Sequence, residues 1–272
     1  MPGMEYLPLS DGSRLAYDWQ PDGDGAPLVF LNGILMNLRS WKGQSGPLSK
    51  IYPCLLHDFR GQLYSSKVFP EDWSMEGHLA DLKALLDALE IERCHLIGTS
   101  YGGEVGLLFA KAFPERVQSL SVIASVPWSD ALLKRQVRLW RDLAEVDSGL
   151  LYDAVATCSY SGDFLERAGT FFDSRKAEFA KLPDDFFTSF VRLCDAFLGF
   201  HMPPEALAGI SCPTLLIGAG SDVLKTPAYS RIMEAHIPNA TYTEIPGAGH
   251  AVVIEQPKTV TGYWRAFIEK HA

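Results

Sequence analysis

One serine, one aspartate and one histidine, each in its own short loop, have the chemistry to move an acyl group. Ser100 lies in Gly98-Thr99-Ser100-Tyr101-Gly102, a G-x-S-x-G run. Asp222 lies in "LLIGAGSDVLKTP" and His250 in "EIPGAGHAVVIEQP". A serine hydroxyl is a poor nucleophile until a base takes its proton. An imidazole suits that task, and a carboxylate behind it fixes the tautomer and stabilises the imidazolium without taking the proton. The chain order Ser, Asp, His goes with a nucleophile placed on a sharp strand-to-helix turn.

The flanking segments supply that turn. "CHLIGT" reads as a buried strand and "YGGEVGLLFAKAF" as the helix after it. Where a strand turns straight into a helix, side chains at Gly98 and Gly102 would collide, and Gly103 widens the same gap. The turn lifts the hydroxyl to the C-terminal edge of the strand, beside the amides that open the helix, where negative charge is stabilised. The other histidines fit the base less well. His57 and His95 lie within strands, His78 and His236 within helices, and His271 in the tail; His201 is placed to line a pocket. Asp130, after the preceding strand, is the reserve carboxylate.

The remaining elements alternate. Residues 6–9 and 14–19 read as a hairpin around Asp11-Gly12, 28–32 as a buried strand, 38–48 as a helix and "YPCLLHD" as the next strand. Residues 74–90 carry Leu79, Leu82, Leu85, Leu86 and Leu89 at helical spacing. "VQSLSVIAS", "TLLIGAG" and "ATYTEIPG" read as strands, and "TVTGYWRAFIEKH" as a closing helix. Buried strands alternating with helices predict the α/β class, with a mostly parallel central sheet flanked by helices.

The alternation stops in one interval. Residues 127–209 are helical and aromatic, with nine of the fifteen phenylalanines. This predicts a helical cap inserted after the sixth strand, between core segments 1–126 and 210–272. Ser129 is placed to cap a helix bearing Leu132, Leu133, Val137, Trp140 and Leu143. Most cap phenylalanines are expected to pack the cap's own core. Trp128, Trp140, Phe186, Phe190 and His201 are the expected pocket residues, which suggests an apolar acyl or ring substrate.

Composition narrows the class. The 272 residues are 47% hydrophobic and 21% charged, an ordinary globular balance. A net charge of -9 argues against nucleic-acid or anionic-membrane partners. The N-terminus has neither a basic run nor an apolar core, and no apolar run is long enough to span a bilayer. The five cysteines are scattered, without C-x-x-C spacing, and are expected as free thiols in a reducing cytoplasm. No third and fourth ligand stand at suitable spacing near Asp222 and His250, so a metal is not expected, and acyl transfer through the serine needs no organic cofactor.

Three motifs together carry a family resemblance over nearly the whole chain: the elbow at residues 98–102, "GSD" at 220–222 and "GAGH" at 247–250. The chain resembles the α/β-hydrolase superfamily, and its cap and "SCPTLLIGAGSD" resemble small cytosolic serine esterases and lactonases of the 3-oxoadipate enol-lactonase type. The resemblance implies a hydrolase for a carboxylic ester or lactone. It also implies an oxyanion hole made by two backbone amides, that of Tyr101 and that of Ile34, in the loop after "LVFLNG". The family commonly has His-Gly there, whereas this chain has Asn32-Gly33. Asn-Gly at this place resembles the acyltransferases that build the lipid part of rhamnolipids, so a second reading is transfer to a hydroxyl other than water. A third is a small-molecule receptor with a slow triad. "DFRGQLYSS" from Asp58 resembles the family's D-x-R-G-x-G-x-S, with Leu63 in place of the second glycine; Arg60 reads as a loop-bracing ion-pair residue.

Overall fold

A computed structural model describes residues 3–272. It has eight strands: β1 (Glu5–Pro8), β2 (Arg14–Gln20), β3 (Leu28–Leu31), β4 (Cys54–His57), β5 (Cys94–Thr99), β6 (Val117–Ile123), β7 (Thr214–Ala219) and β8 (Ala240–Ile245). They form one sheet in the order β1-β2-β4-β3-β5-β6-β7-β8. β2 pairs antiparallel with β1 and β4, and every other pairing is parallel. Strands buried on both faces need apolar residues at every position, which is why "LVFL" and "TLLI" read as continuous runs.

The helices between the strands are α1 (Lys42–Leu48), α2 (Gly77–Ala88) and α3 (Tyr101–Ala112). Between β6 and β7 come six more: α4 (Ala131–Val146), α5 (Ser148–Ser159), α6 (Gly162–Ala168), α7 (Phe171–Phe179), α8 (Asp184–Leu198) and α9 (Pro204–Leu207). The chain closes with α10 (Pro227–His236), α11 (Val252–Glu255) and α12 (Pro257–Lys270). The expected helix at 38–48 is split. A 3-10 turn over Leu38–Trp41, capped by the Asn37 side chain, precedes α1. The expected helix at 74–90 forms only over Gly77–Ala88, and Ser74 makes no cap.

The sheet separates two cores, and strand alternation assigns residues to them. Leu28 and Phe30 face one side, and Val29 and Leu31 the other. On the first side, Trp41 and Trp264 of α12 pack on Phe30, with ring centroids 5.2 and 6.1 Å away. On the second, α2 and α3 bury Leu82, Leu85, Val105 and Phe109. Arg60 braces a loop at the rim. It grips Asp81 through two nitrogens (2.8 and 2.9 Å) and reaches Asp11 (2.6 Å) and the Val68 carbonyl (3.0 Å).

Of the inserted helices, α4, α5, α7 and α8 wall a cavity at the C-terminal end of β5, where ligands bind in open α/β sheets, while α9 packs on α3 and α10. The base of the insertion is closed by an antiparallel bridge between Trp128 and His201. There Ser129 N–H donates to the Phe200 carbonyl (3.0 Å), and Met202 N–H to the Pro127 carbonyl (2.8 Å). Ser129 does not cap α4. Asp130 does, accepting from Leu133 N–H at 2.9 Å. All five cysteines are free thiols. No helix among the described residues is long and apolar enough to cross a membrane.

Candidate active site

The site begins at the turn between β5 and α3. Ser100 has φ 52° and ψ -120°, a region an L-residue rarely adopts. The chain can hold it there because its neighbours lack side chains. A Cβ on Gly98 would strike the Gly102 carbonyl, and one on Gly102 the Leu31 carbonyl. The turn is pinned by Ser100 N–H donating to the Ile123 carbonyl (2.8 Å) and by Ser125 Oγ–H donating to the Ser100 carbonyl (2.8 Å).

The structure brings Ser100, His250 and Asp222 into one hydrogen-bonded line. His250 Nε2 lies 2.9 Å from Ser100 Oγ, and His250 Nδ1 lies 2.8 Å from Asp222 Oδ2. His250 comes from the loop after β8 and Asp222 from the turn after β7, so the ends of β5, β7 and β8, with β6 between the first two, build the constellation. Asp222 is almost wholly buried, and its Oδ1 accepts the amides of Leu224 and Lys225, each at 2.8 Å. Burial alone would raise its carboxyl, but the facing His250 and these amides hold it below the usual carboxylate range. Asp130, the reserve carboxylate, is spent elsewhere: it caps α4 and accepts from Tyr229 Oη–H at 2.5 Å.

Tyr101 is the first residue of α3, so its amide has no acceptor within the helix. Ile34 sits inside a turn closed by Met36 N–H donating to the Gly33 carbonyl (3.0 Å). Both residues line the cavity beside Ser100. The departure at Asn32 has a structural account. Its side chain points away from the cavity into a buried polar hub. It accepts from Trp41 Nε1–H (2.6 Å) and donates to the His57 carbonyl and Gln62 Oε1, each at 2.9 Å. Gln62 Nε2–H in turn donates to the Gly33 carbonyl at 2.8 Å, fixing the peptide that carries the Ile34 amide.

Above these groups is a cavity of about 240 Å³, walled by Leu133, Val137, Trp140, Val155 and Phe179 from the inserted helices. Of the five expected pocket residues, only Trp140 lines it. The other four are corrected. Trp128 and His201 form the bridge that closes the insertion's base, their rings 6.1 Å apart. Phe186 packs on Phe179 and Phe187, and Phe190 is buried in the core beneath α8. Sequence reasoning missed Tyr152, Tyr160, Phe179, Phe197 and Lys225, all lining residues. Phe197 had a signal, since it continues the stripe of Phe186, Phe190 and Leu193 one turn further. Lys225 had another, three residues after Asp222. Among the described residues, no group of three or more His, Cys, Asp or Glu side chains could hold a metal ion.

Comparison with known proteins places this geometry. The chain is 31% identical over 248 residues to a protein of Pseudomonas syringae pv. syringae provisionally named carbamate hydrolase RutD, covering 90% of this chain and 94% of that one. The crystal structure of an α/β hydrolase enzyme from a Medee basin deep-sea metagenome library matches with a TM-score of 0.91 at 28% identity, covering 97% of each chain. An enol-lactonase from Burkholderia xenovorans shares the fold, with a TM-score of 0.85 at 23% identity, covering 97% of this chain and 100% of that one. A family model described as alpha/beta hydrolase fold matches residues 26–257, a span that includes all three aligned side chains. With its sheet order, its serine turn and this match over most of its length, the chain belongs to the α/β-hydrolase fold family.

Proposed function

We propose that the chain is a serine hydrolase that cleaves a carboxylic ester or lactone through an acyl-enzyme intermediate. The observation that carries this reading is the line Ser100 Oγ, His250, Asp222, with contacts of 2.9 and 2.8 Å, at the floor of a largely apolar cavity. His250 Nε2 takes the hydroxyl proton as Ser100 Oγ bonds to the carbonyl carbon. The carbonyl oxygen becomes an oxyanion facing the amides of Tyr101 and Ile34, each donor being worth about 3 kcal/mol in comparable sites. Collapse breaks the bond to the leaving oxygen, which takes the proton from His250. Water then gives a proton to His250 and attacks the acyl carbon. The bond to Ser100 breaks, Ser100 recovers the proton and the acid departs. Asp222 stays ionised throughout and stabilises the imidazolium.

The buried hub around Asn32 supports hydrolysis over transfer. Its side chain is turned away from the reacting groups, so the change from His-Gly to Asn-Gly leaves the cavity without an added group to hold an alcohol acceptor.

The test is stopped-flow hydrolysis of p-nitrophenyl esters of graded acyl length by the wild type and Ser100→Ala, with labelling by a fluorophosphonate. The expected result is a burst of nitrophenol and labelling of Ser100, both lost in the variant. No turnover on any ester, with Ser100 unlabelled, overturns the reading. The name of the Pseudomonas relative adds an aryl carbamate to the panel. Faster turnover of that substrate changes the acyl group to carbamoyl and leaves the steps intact.

A further inference from the structure

The cavity above Ser100 is mostly apolar, yet its charge is one-sided. The chain has 33 acidic residues against 24 basic ones. None of the residues lining the cavity is an aspartate or glutamate, and its permanent charges are two cations, Lys225 and Arg175. Lys225 is neutralised from behind by Glu104 at 2.8 Å. Arg175, on α7, is not neutralised in this way. Its guanidinium lies over the Phe171 ring, 5.9 Å from the centroid. The carboxylates around it have other partners. Asp153 is held by Lys176, and Glu178, one turn along, is held by Lys181 and feels the Arg175 charge without pairing with it. Glu255 accepts from Ser161 N–H, Ser161 Oγ–H and Gly249 N–H.

Two phenols complete this corner. Tyr152 and Tyr160 line the cavity, and both feel the charge of Arg175. Their rings are fixed, Tyr152 against Phe179 (5.6 Å) and Tyr160 between Phe164 (5.4 Å) and Phe172 (4.8 Å). Among the described residues, neither hydroxyl has a hydrogen-bond partner. Burial pushes Tyr152 up to about 12 against the pull of Arg175, and it raises Tyr160 too, so both are protonated donors at neutral pH.

We propose that Arg175, Tyr152 and Tyr160 form a subsite for a carboxylate carried by the substrate, remote from the bond that is cut. The inference rests on the serine-hydrolase reading above and narrows it to anionic esters or lactones. A guanidinium fork matches a carboxylate through two parallel hydrogen bonds, and two phenol donors satisfy its remaining lone pairs. The apolar wall of Trp140, Val155 and Phe179 suits the methylenes between the two ends. The Arg175 charge in the cavity wall, which no ion pair among the described residues neutralises, also draws an anion toward a protein whose net charge would otherwise repel it.

The experiment compares two pairs of esters by kcat/KM. One pair is mono-4-nitrophenyl glutarate and its methyl ester, which puts the carboxylate on the acyl side. The other is 4-acetoxybutyrate and its methyl ester, which puts it on the alcohol side. The wild type is expected to prefer the anion in one pair. Arg175→Gln is expected to lower that ratio about tenfold, the scale of a lost charged hydrogen bond, mainly through KM. Added salt is expected to compress the ratio. Arg135→Gln removes the same charge from an exposed position of α4 outside the cavity and is expected to leave the ratio unchanged. No anion preference in either pair, or a ratio indifferent to Arg175→Gln, overturns the proposal. A binding measurement separates the two readings. Calorimetric binding of glutarate to Ser100→Ala, weakened by adding Arg175→Gln, supports the subsite even if no ester is turned over and Ser100 resists the fluorophosphonate. Turnover of neutral esters with no Arg175-dependent glutarate binding keeps the hydrolase and removes the subsite.

Discussion

Lys225 Nζ donates to both carboxylate oxygens of Glu104, at 2.8 and 2.9 Å, and neither side chain is more than 6% exposed. Glu104 stands in the first turn of α3, just past Ser100, and Lys225 follows Asp222. One buried ion pair therefore ties the serine's helix to the aspartate's turn. The Lys225 ammonium also lies 4.7 Å from the centroid of Phe197, which links both to α8.

Lys225→Met should destabilise the protein by about 3–5 kcal/mol, because it leaves Glu104 buried and unpaired. Burial already raises the Glu104 carboxyl, and Lys225 opposes that rise. Adding Glu104→Gln keeps an acceptor for Val126 N–H, which now reaches Glu104 at 3.1 Å, and removes the stranded charge. Urea denaturation should show the double variant recovering most of the loss. Equal losses in the single and double variants would mean that the pair is not coupled.

The Gln62 amide sets the second amide of the proposed oxyanion hole. It donates to the Gly33 carbonyl at 2.8 Å, and its oxygen accepts from Phe59 N–H and Asn32 Nδ2–H, each at 2.9 Å. Gln62→Met keeps the length of the side chain and deletes these bonds. Removing an oxyanion donor outright costs about 100-fold or more in kcat. Loosening one should lower kcat about tenfold with little change in KM on the same p-nitrophenyl ester. A fall carried by KM would place Gln62 in substrate binding instead.

The parts of this molecule that were legible in the sequence are those where one residue type is sterically required. The turn at Ser100 needs glycine at 98 and 102 because backbone carbonyls fill the space a side chain would occupy. Strands buried on both faces need unbroken apolar runs, and these revealed the sheet. The juxtaposition of Ser100, Asp222 and His250 followed from chain order on that sheet. The cavity wall was not legible in this way. A stripe such as Phe186, Phe190, Leu193 and Phe197 states that one face of a helix is buried, not what covers it. Only Phe197 of the four reaches the cavity. Trp128 and His201 flank the run from α4 to α8 in the sequence, but their backbones pair with each other. Arg175 carried no signal in the sequence: it is an exposed residue of α7, and its place in the cavity wall depends on how α5 and α7 pack.

Stability should fall as the pH drops below about 6.5, and His57 makes part of that fall separable. His57 is 1% exposed, neither ring nitrogen has a partner among the described residues, and burial lowers its pKa to about 4. Above the unfolded value of about 6.5, both states are neutral and the group contributes nothing. Below it, the unfolded chain binds the proton first, so stability drops by up to about 1.4 kcal/mol per pH unit until the folded form also protonates near its own pKa. Between those limits the loss sums to about 3 kcal/mol. His78, lowered to about 3, and His95, lowered to about 4, act in the same direction. Asp58 acts in the opposite direction: burial raises it to about 6, so its folded carboxyl binds a proton before the unfolded one. His95 and Asp58 are present in both the wild type and His57→Leu, and their contributions cancel in the difference; His78 also feels the His57 charge, so losing that charge relaxes His78 and acts in the same direction as losing His57 itself. Urea denaturation from pH 7.5 to 4.5 should therefore show the variant gaining on the wild type by about 1 kcal/mol per pH unit below 6.5. A difference that stays constant across that range would mean that His57 takes up its proton in the folded protein as readily as in the unfolded chain.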